Sequence, residues 1–171
     1  NVEKVLRASV AAQQETGAPI LIHPPFHSDG PGWIVKILDR AGADLSRVIM
    51  GHLDYVITEV DALMRLADTG CYLEWDLMGN EDTSGNPVAP MDRINDDKRL
   101  SNIKAMIDSG HGERIVVAHD VCTKGSLIER GGKGYAHILE NVVPRMKNME
   151  FSDAQIDDIT INNPARILAW V

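Results

Sequence analysis

Four short apolar runs in this chain each lead to an ionisable residue, and that repeated pattern limits the fold more than any other feature. Pro19-Ile20-Leu21-Ile22 is closed by His23, and Arg47-Val48-Ile49-Met50-Gly51 leads to His52. The run from Cys71 reaches Glu74 and Asp76, and Arg114 to Ala118 continues into His119 and Asp120. Runs this short, rich in β-branched residues and bounded by glycine, read as buried strands.

Helical spacing fills the intervals between them. Val2, Val5, Leu6 and Val10 precede Gly17. Trp33, Ile34, Ile37 and Leu38 follow Pro31 and stop at Gly42. Thr58 and Asp61 resemble a capping box for a helix carrying Val60, Leu63, Met64 and Ala67, which Gly70 ends. A polar stretch from Leu77 to Asn95 separates the third strand from a helix with Leu100, Ile103 and Ile107. After the fourth strand a helix is expected from about Tyr135, kinked or shortened by Pro144. Ser152 to Gln155 forms a second capping box, and Asn163-Pro164 reads as an N-cap with proline at the first helical position. These predict two short closing helices. Strands alternating with helices imply one α/β unit with a parallel sheet.

Alternation along a strand puts Leu21 with His23, Met50 with His52, Glu74 with Asp76, and Ala118 with Asp120. If the sheet belongs to a (β/α) barrel, the C-terminal strand ends form the active-site mouth, where two imidazoles and two carboxylates would gather. Taken singly, each reads as a loop cap. Together, two imidazoles and a carboxylate are a ligand set for catalytic zinc and related divalent ions, with one position left for water. Asp54 is a candidate for orienting His52 or relaying a proton, because ligating imidazoles need an outer partner. Glu74 is expected to shape the interior or pair with a buried cation. His119 should point to the helix layer, and His27, His111 and His137 read as loop or helix-surface residues. Cys122 has no base beside it in sequence. The Gly131 to Gly134 turn lacks a P-loop spacing and is expected to lend flexibility to a lid.

Charge and composition exclude several classes. With 17 basic against 25 acidic residues the formal charge is −8, and no Lys/Arg cluster is longer than a pair. Nucleic acid and anionic membrane surfaces are therefore not expected partners. No apolar run approaches the roughly 20 residues of a membrane-spanning helix. Two cysteines outside any CxxC spacing fit a reducing, cytoplasmic setting. The chain opens directly inside an amphipathic helix and is expected to be part of a larger protein.

Gly17-Ala18-Pro19-Ile20-Leu21-Ile22-His23-Pro24, Val48-Ile49-Met50-Gly51-His52-Leu53-Asp54, Ala118-His119-Asp120 and Asn163-Pro164-Ala165-Arg166 resemble the phosphotriesterase-related branch of the amidohydrolase superfamily. Gly131-Gly132-Lys133-Gly134-Tyr135 and Asn141-Val142-Val143-Pro144 extend the resemblance over nearly the whole chain, in order. It implies the C-terminal half, strands five to eight, of a (β/α)8 TIM barrel with short closing helices. Residues 1–171 would then be a single partial domain, partnered by an N-terminal half-barrel in the same parent protein. His23 and His52 would ligate the more exposed metal and Asp120 the buried one, in a site for two divalent ions, zinc foremost. Asp120 would also accept a proton from the attacking hydroxide, and Asp76, with Glu74, would line the substrate pocket. The resemblance further calls for a His-x-His pair and a carboxylated lysine, which this chain lacks and the preceding half would supply.

The reading that results is a metal-dependent hydrolase of a small-molecule ester, lactone, amide or phosphoester, with a homodimer as a further expected assembly. The competing reading is a noncatalytic fragment or pseudoenzyme that binds a metabolite or a partner protein. A doubly wound nucleotide-binding sheet is a third, and it lacks a glycine fingerprint after any strand.

Overall fold

The computed structural model describes residues 1–57, 59–80 and 94–170. Strands β1 (Ile20–Ile22), β2 (Val48–Met50), β3 (Tyr72–Trp75) and β4 (Ile115–Val117) form one parallel sheet in the order β1-β2-β3-β4. Parallel neighbours need a crossover, and helices supply it. Helix α1 (Val2–Thr16) precedes β1, α2 (Gly30–Arg40) joins β1 to β2, and the short α3 (Leu53–Val56) with α4 (Val60–Ala67) joins β2 to β3. Helix α5 (Asp96–Asp108) leads to β4.

The register divides the sheet into two faces. Ile22 pairs with Met50, Met50 with Leu73, and Leu73 with Ile115. These residues pack against the helices in the main core, where Leu38, Leu63, Leu100 and Ile103 are fully buried. Truncating a side chain packed this way, such as Leu38→Ala, typically costs about 2–5 kcal/mol. The opposite face carries Leu21, Ile49, Tyr72 and Val116. Ile167 covers Ile49, Tyr72 and Val116 at one end, whereas Leu21 stays 63% exposed. That face corresponds to the expected barrel interior, and β1 and β4 are the edges of the sheet.

Several elements depart from expectation. Leu6, Val10 and Gln13 are the buried side of α1, while Val2 and Val5 lie outside it, exposed. Gln13 is buried because its amide bridges the chain before β2, donating to the Asp44 and Arg47 carbonyls and accepting from the Asp44 amide. Thr58 and residues 81–93 lie outside the described residues, and Glu59 precedes α4 without a side-chain cap bond. The helix expected from Tyr135 begins as a wide π turn at Ile138–Val142 and continues as α6 (Val143–Asn148). The π turn accommodates Pro144, whose ring and missing amide would disrupt a regular turn.

The closing segment is one helical run. Helix α7 (Asp153–Asp157), a π turn at Asp158–Asn162 and α8 (Asn163–Leu168) follow without a break. Ser152 and Gln155 form the expected capping box. Asn163, by contrast, does not cap a helix. Its buried amide donates to the Gly112 and Ile115 carbonyls at 2.8 and 2.9 Å, fastening the run to the start of β4.

Candidate functional site

His23 follows β1 by one residue and shares the interior face with Leu21, as alternation requires. His52 does not follow alternation. Met50, two residues before it, is fully buried on the helix side, and a regular strand would send His52 the same way. Pairing continues for one residue, with the Gly51 amide donating to the Ile22 carbonyl at 3.0 Å. The backbone of His52 then turns left-handed, at φ 54° and ψ 30°. The turn brings the imidazoles of His23 and His52 edge to face, with ring centroids 4.1 Å apart.

A left-handed residue with a Cβ is strained by roughly 1–2 kcal/mol, so something must hold it. Asp76, just beyond β3, does so with both oxygens. Oδ2 accepts from the His52 amide at 2.9 Å, and Oδ1 lies 2.9 Å from His52 Nδ1. A carboxylate can only accept, so the ring proton sits on Nδ1 and the Nε2 lone pair is left for another partner. This hydrogen bond raises the His52 pKa against the effect of burial, and the Asp76 and Asp120 charges add to it. Burial lowers His23, and His52 beside it lowers it further, which favours a neutral imidazole. Gly51 is needed here for room, because a Cβ would lie 3.0 Å from both Asp76 Oδ2 and Glu74 Oε2.

Asp54 was a candidate for orienting His52 or relaying a proton, and it is Asp76 that holds the His52 ring. Asp54 instead accepts from the Asp76 amide through Oδ2 at 2.9 Å and from Arg99 Nε through Oδ1 at 2.5 Å. Arg99 also donates to Asp96 at 2.7 Å and to the Asn80 carbonyl at 3.1 Å. Asp96 accepts from the Gly79 amide and pairs with His137 Nε2 at 2.8 Å. Asp54, Asp96 and Arg99 are wholly buried, so this chain of charges forms a floor beneath the loops that follow β2 and β3. Burial pushes the Asp54 carboxyl up, with Arg99 opposing. For Asp96 burial is outweighed by the bonds from His137, Gly79 and Arg99, and its pKa falls.

Asp96, Arg99 and His137 were not singled out from the sequence. His137 was expected at a surface and is buried on Asp96. A signal existed for the other two. Asp96 and Arg99 fall on the same helical stripe as Leu100 and Ile103, a position that charged residues occupy only when paired.

Glu74 faces the interior beside Asp76 and has no Lys or Arg partner among the described residues. Burial pushes its pKa up to about 8, and the Asp76 charge contributes. Asp120, past β4, is exposed with φ 47°, and its carbonyl accepts from the Cys122 amide at 2.8 Å. Its charge acts on both His23 and His52. His119 points to the helix layer as expected, where Nε2 accepts from the Ile138 amide at 3.0 Å. Cys122 is exposed.

A divalent ion fits part of this arrangement. Two imidazoles converge, one with its tautomer fixed, and a carboxylate stands on the same side. Among the described residues no three His, Cys, Asp or Glu side chains close into a complete ligand group.

Residues 1–168 match the model of the phosphotriesterase family. The chain is 46% identical to the N-acetyltaurine hydrolase of Dictyostelium discoideum, covering 100% of this chain and 46% of that protein. It is 44% identical to the phosphotriesterase-related protein of Nematostella vectensis, over 98% of this chain and 48% of that one. The chain thus spans about half the length of these relatives. Among solved structures it superposes on a resiniferatoxin-binding protein from Rhodobacter sphaeroides with a TM-score of 0.90 and 28% identity, covering 97% of this chain and 46% of that one. It also matches the phosphotriesterase homology protein of Escherichia coli, crystallised with phosphate in its active site, at TM-score 0.84 and 29% identity. That match covers 98% of this chain and 53% of the other. With His23, His52, Asp76 and Asp120 at the strand ends of a partial barrel, the chain belongs to the phosphotriesterase family.

Proposed function

We propose that this chain is the C-terminal half of a divalent-metal-dependent hydrolase acting on a small amide. The observation that carries the reading is the His52 turn. A strained backbone position is held by a buried carboxylate that engages His52 Nδ1, which leaves Nε2 as the ring's ligating atom beside a second imidazole. Nothing in the packing of the sheet requires this, whereas a metal ligand does.

His23, His52 and Asp120 would contribute ligands to the metal site, with the remaining ligands from an N-terminal half-barrel in the same parent protein. Asp76 fixes the His52 ring. Asp120 accepts the proton released when water attacks, and Asp76 and Glu74 form one wall of the substrate pocket. The metal, when bound, supplies Lewis-acid activation of the scissile carbonyl and of water at neutral pH. Zinc is the first ion to test, because imidazole and carboxylate suit it.

Relatives named for the hydrolysis of N-acetyltaurine make an amide the first substrate class, ahead of esters, lactones and phosphoesters. A reducing, cytoplasmic setting suits the unpaired Cys71 and Cys122. The test is hydrolysis of N-acetyltaurine by the complete protein. Turnover that a chelator abolishes and zinc restores is expected. A metal-loaded protein that hydrolyses neither this amide nor simple esters and lactones would favour the noncatalytic reading.

A further inference from the structure

Beside the mouth, a cavity of about 440 Å³ opens between the loop after β3 and the loop after β4. Met78, two residues beyond Asp76, and Val121, next to Asp120, line it, so it lies beside the ends of β3 and β4. Among the described residues that line it, Lys133 is the one Lys or Arg and none is a carboxylate, while Asn80, Ser126 and His119 add polar groups. In a chain of net charge −8 this is unusual ground. The mouth itself presents the Asp76 and Asp120 carboxylates, which would repel an anionic substituent.

The loop that carries Lys133, expected from its glycines to lend flexibility to a lid, is cross-braced by backbone contacts in this structure. Gly132 passes directly over another stretch of backbone, since a Cβ there would lie 2.2 Å from the Ser126 carbonyl carbon. The Gly132 amide donates to the Leu127 carbonyl at 3.0 Å, and the Gly134 amide to the Ser126 carbonyl at 2.8 Å. Lys133 is therefore held between two fixed positions. Its stem crosses Gly79, where a Cβ would come within 3.0 Å of Lys133 Cγ. Gly79 in turn is pinned through its amide to the buried Asp96.

We propose that this cavity receives the anionic end, a sulfonate or carboxylate, of an N-acyl substrate whose amide lies at the mouth, and that Lys133 determines specificity by pairing with it. The proposal rests on the amide-hydrolase reading, and it names the part of the substrate that this chain recognises.

Two measurements on the complete protein decide it. The first compares kcat/KM for N-acetyltaurine with that for N-ethylacetamide, which lacks the anion. Lys133→Ala should lower the ratio of the two about tenfold, the value of one charge-assisted contact, and Lys133→Arg should retain most of it. An unchanged ratio in Lys133→Ala overturns the proposal. The second needs no turnover. Taurine, β-alanine and ethylamine are titrated into wild type and Lys133→Ala by calorimetry. Tighter binding of taurine or β-alanine than of ethylamine, lost in Lys133→Ala, supports the cavity as an anion site, and the better of the two acids identifies the group. Equal binding by the two proteins, or no preference for an acid, overturns it. A protein that binds these acids through Lys133 yet cleaves no amide would refute the amide-hydrolase reading and leave only the anion site at Lys133 standing.

Discussion

At the scale of single residues, the site depends on Asp76 more than on any residue that would touch the metal. Its two oxygens hold both the backbone and the ring of His52. Asp76→Asn can offer an N–H to Nδ1 and so favours the wrong tautomer. Zinc affinity of the complete protein should fall about 10–100-fold, read by competition with a chromophoric chelator. Glu74 gives a second prediction, about pH. Its pKa rises from an ordinary 4.5 to about 8 on folding, chiefly by burial. The folded state thus keeps a proton that the unfolded chain releases. The associated stability is fully present below 4.5 and is lost as pH rises through about 8. Glu74→Gln should therefore stabilise the protein at pH 8, by on the order of 2 kcal/mol for a partly exposed group, and little at pH 4.5. Melting temperatures at the two pH values check the difference. None of this was legible from alternation alone, which puts His52 with Met50 and on the wrong side of the sheet. The left-handed turn at His52 is set by an acceptor 24 residues later in the chain, which no local pattern records.

At the scale of elements, the strands and crossover helices were legible because their signals are local: apolar runs, glycine stops and the Ser152 capping box. The buried chain Asp54, Arg99, Asp96 and His137 was not, because it assembles from the β2 loop, the start of α5 and the segment before α6. It joins these elements at the floor of the site. Arg99→Met removes the cation that Asp54 and Asp96 share and leaves the buried Asp54 carboxylate without its ion pair, and the expected loss is about 3–5 kcal/mol in a denaturation midpoint. The double variant Arg99→Met with Asp54→Asn should lose less than the sum of the single changes, since one orphaned charge is removed with its partner. Strict additivity would mean that the two do not act as a pair. Asn163→Ala breaks one bond to the Gly112 carbonyl and one to the Ile115 carbonyl of β4 and should cost about 1–3 kcal/mol, read in a denaturation midpoint.

At the scale of the whole molecule, four parallel strands make a sheet with β1 and β4 as edges and Leu21 bare on the interior face. Parallel sheets are ordinarily covered on both faces. Produced as the isolated 171-residue segment, this chain should aggregate, and co-production with the N-terminal half-barrel proposed above should bring it into a defined particle; size-exclusion chromatography distinguishes the two. The same geometry accounts for the incomplete ligand set, because a barrel mouth is shared by all its strands. The central claim is that His23 and His52 are two ligands of one divalent ion. Metal content of the complete protein, purified without chelators, tests it most directly. Wild type should carry a stoichiometric divalent metal, and His23→Ala and His52→Ala should each lose at least one ion per chain while keeping the fold. Full metal content in both variants would contradict the account.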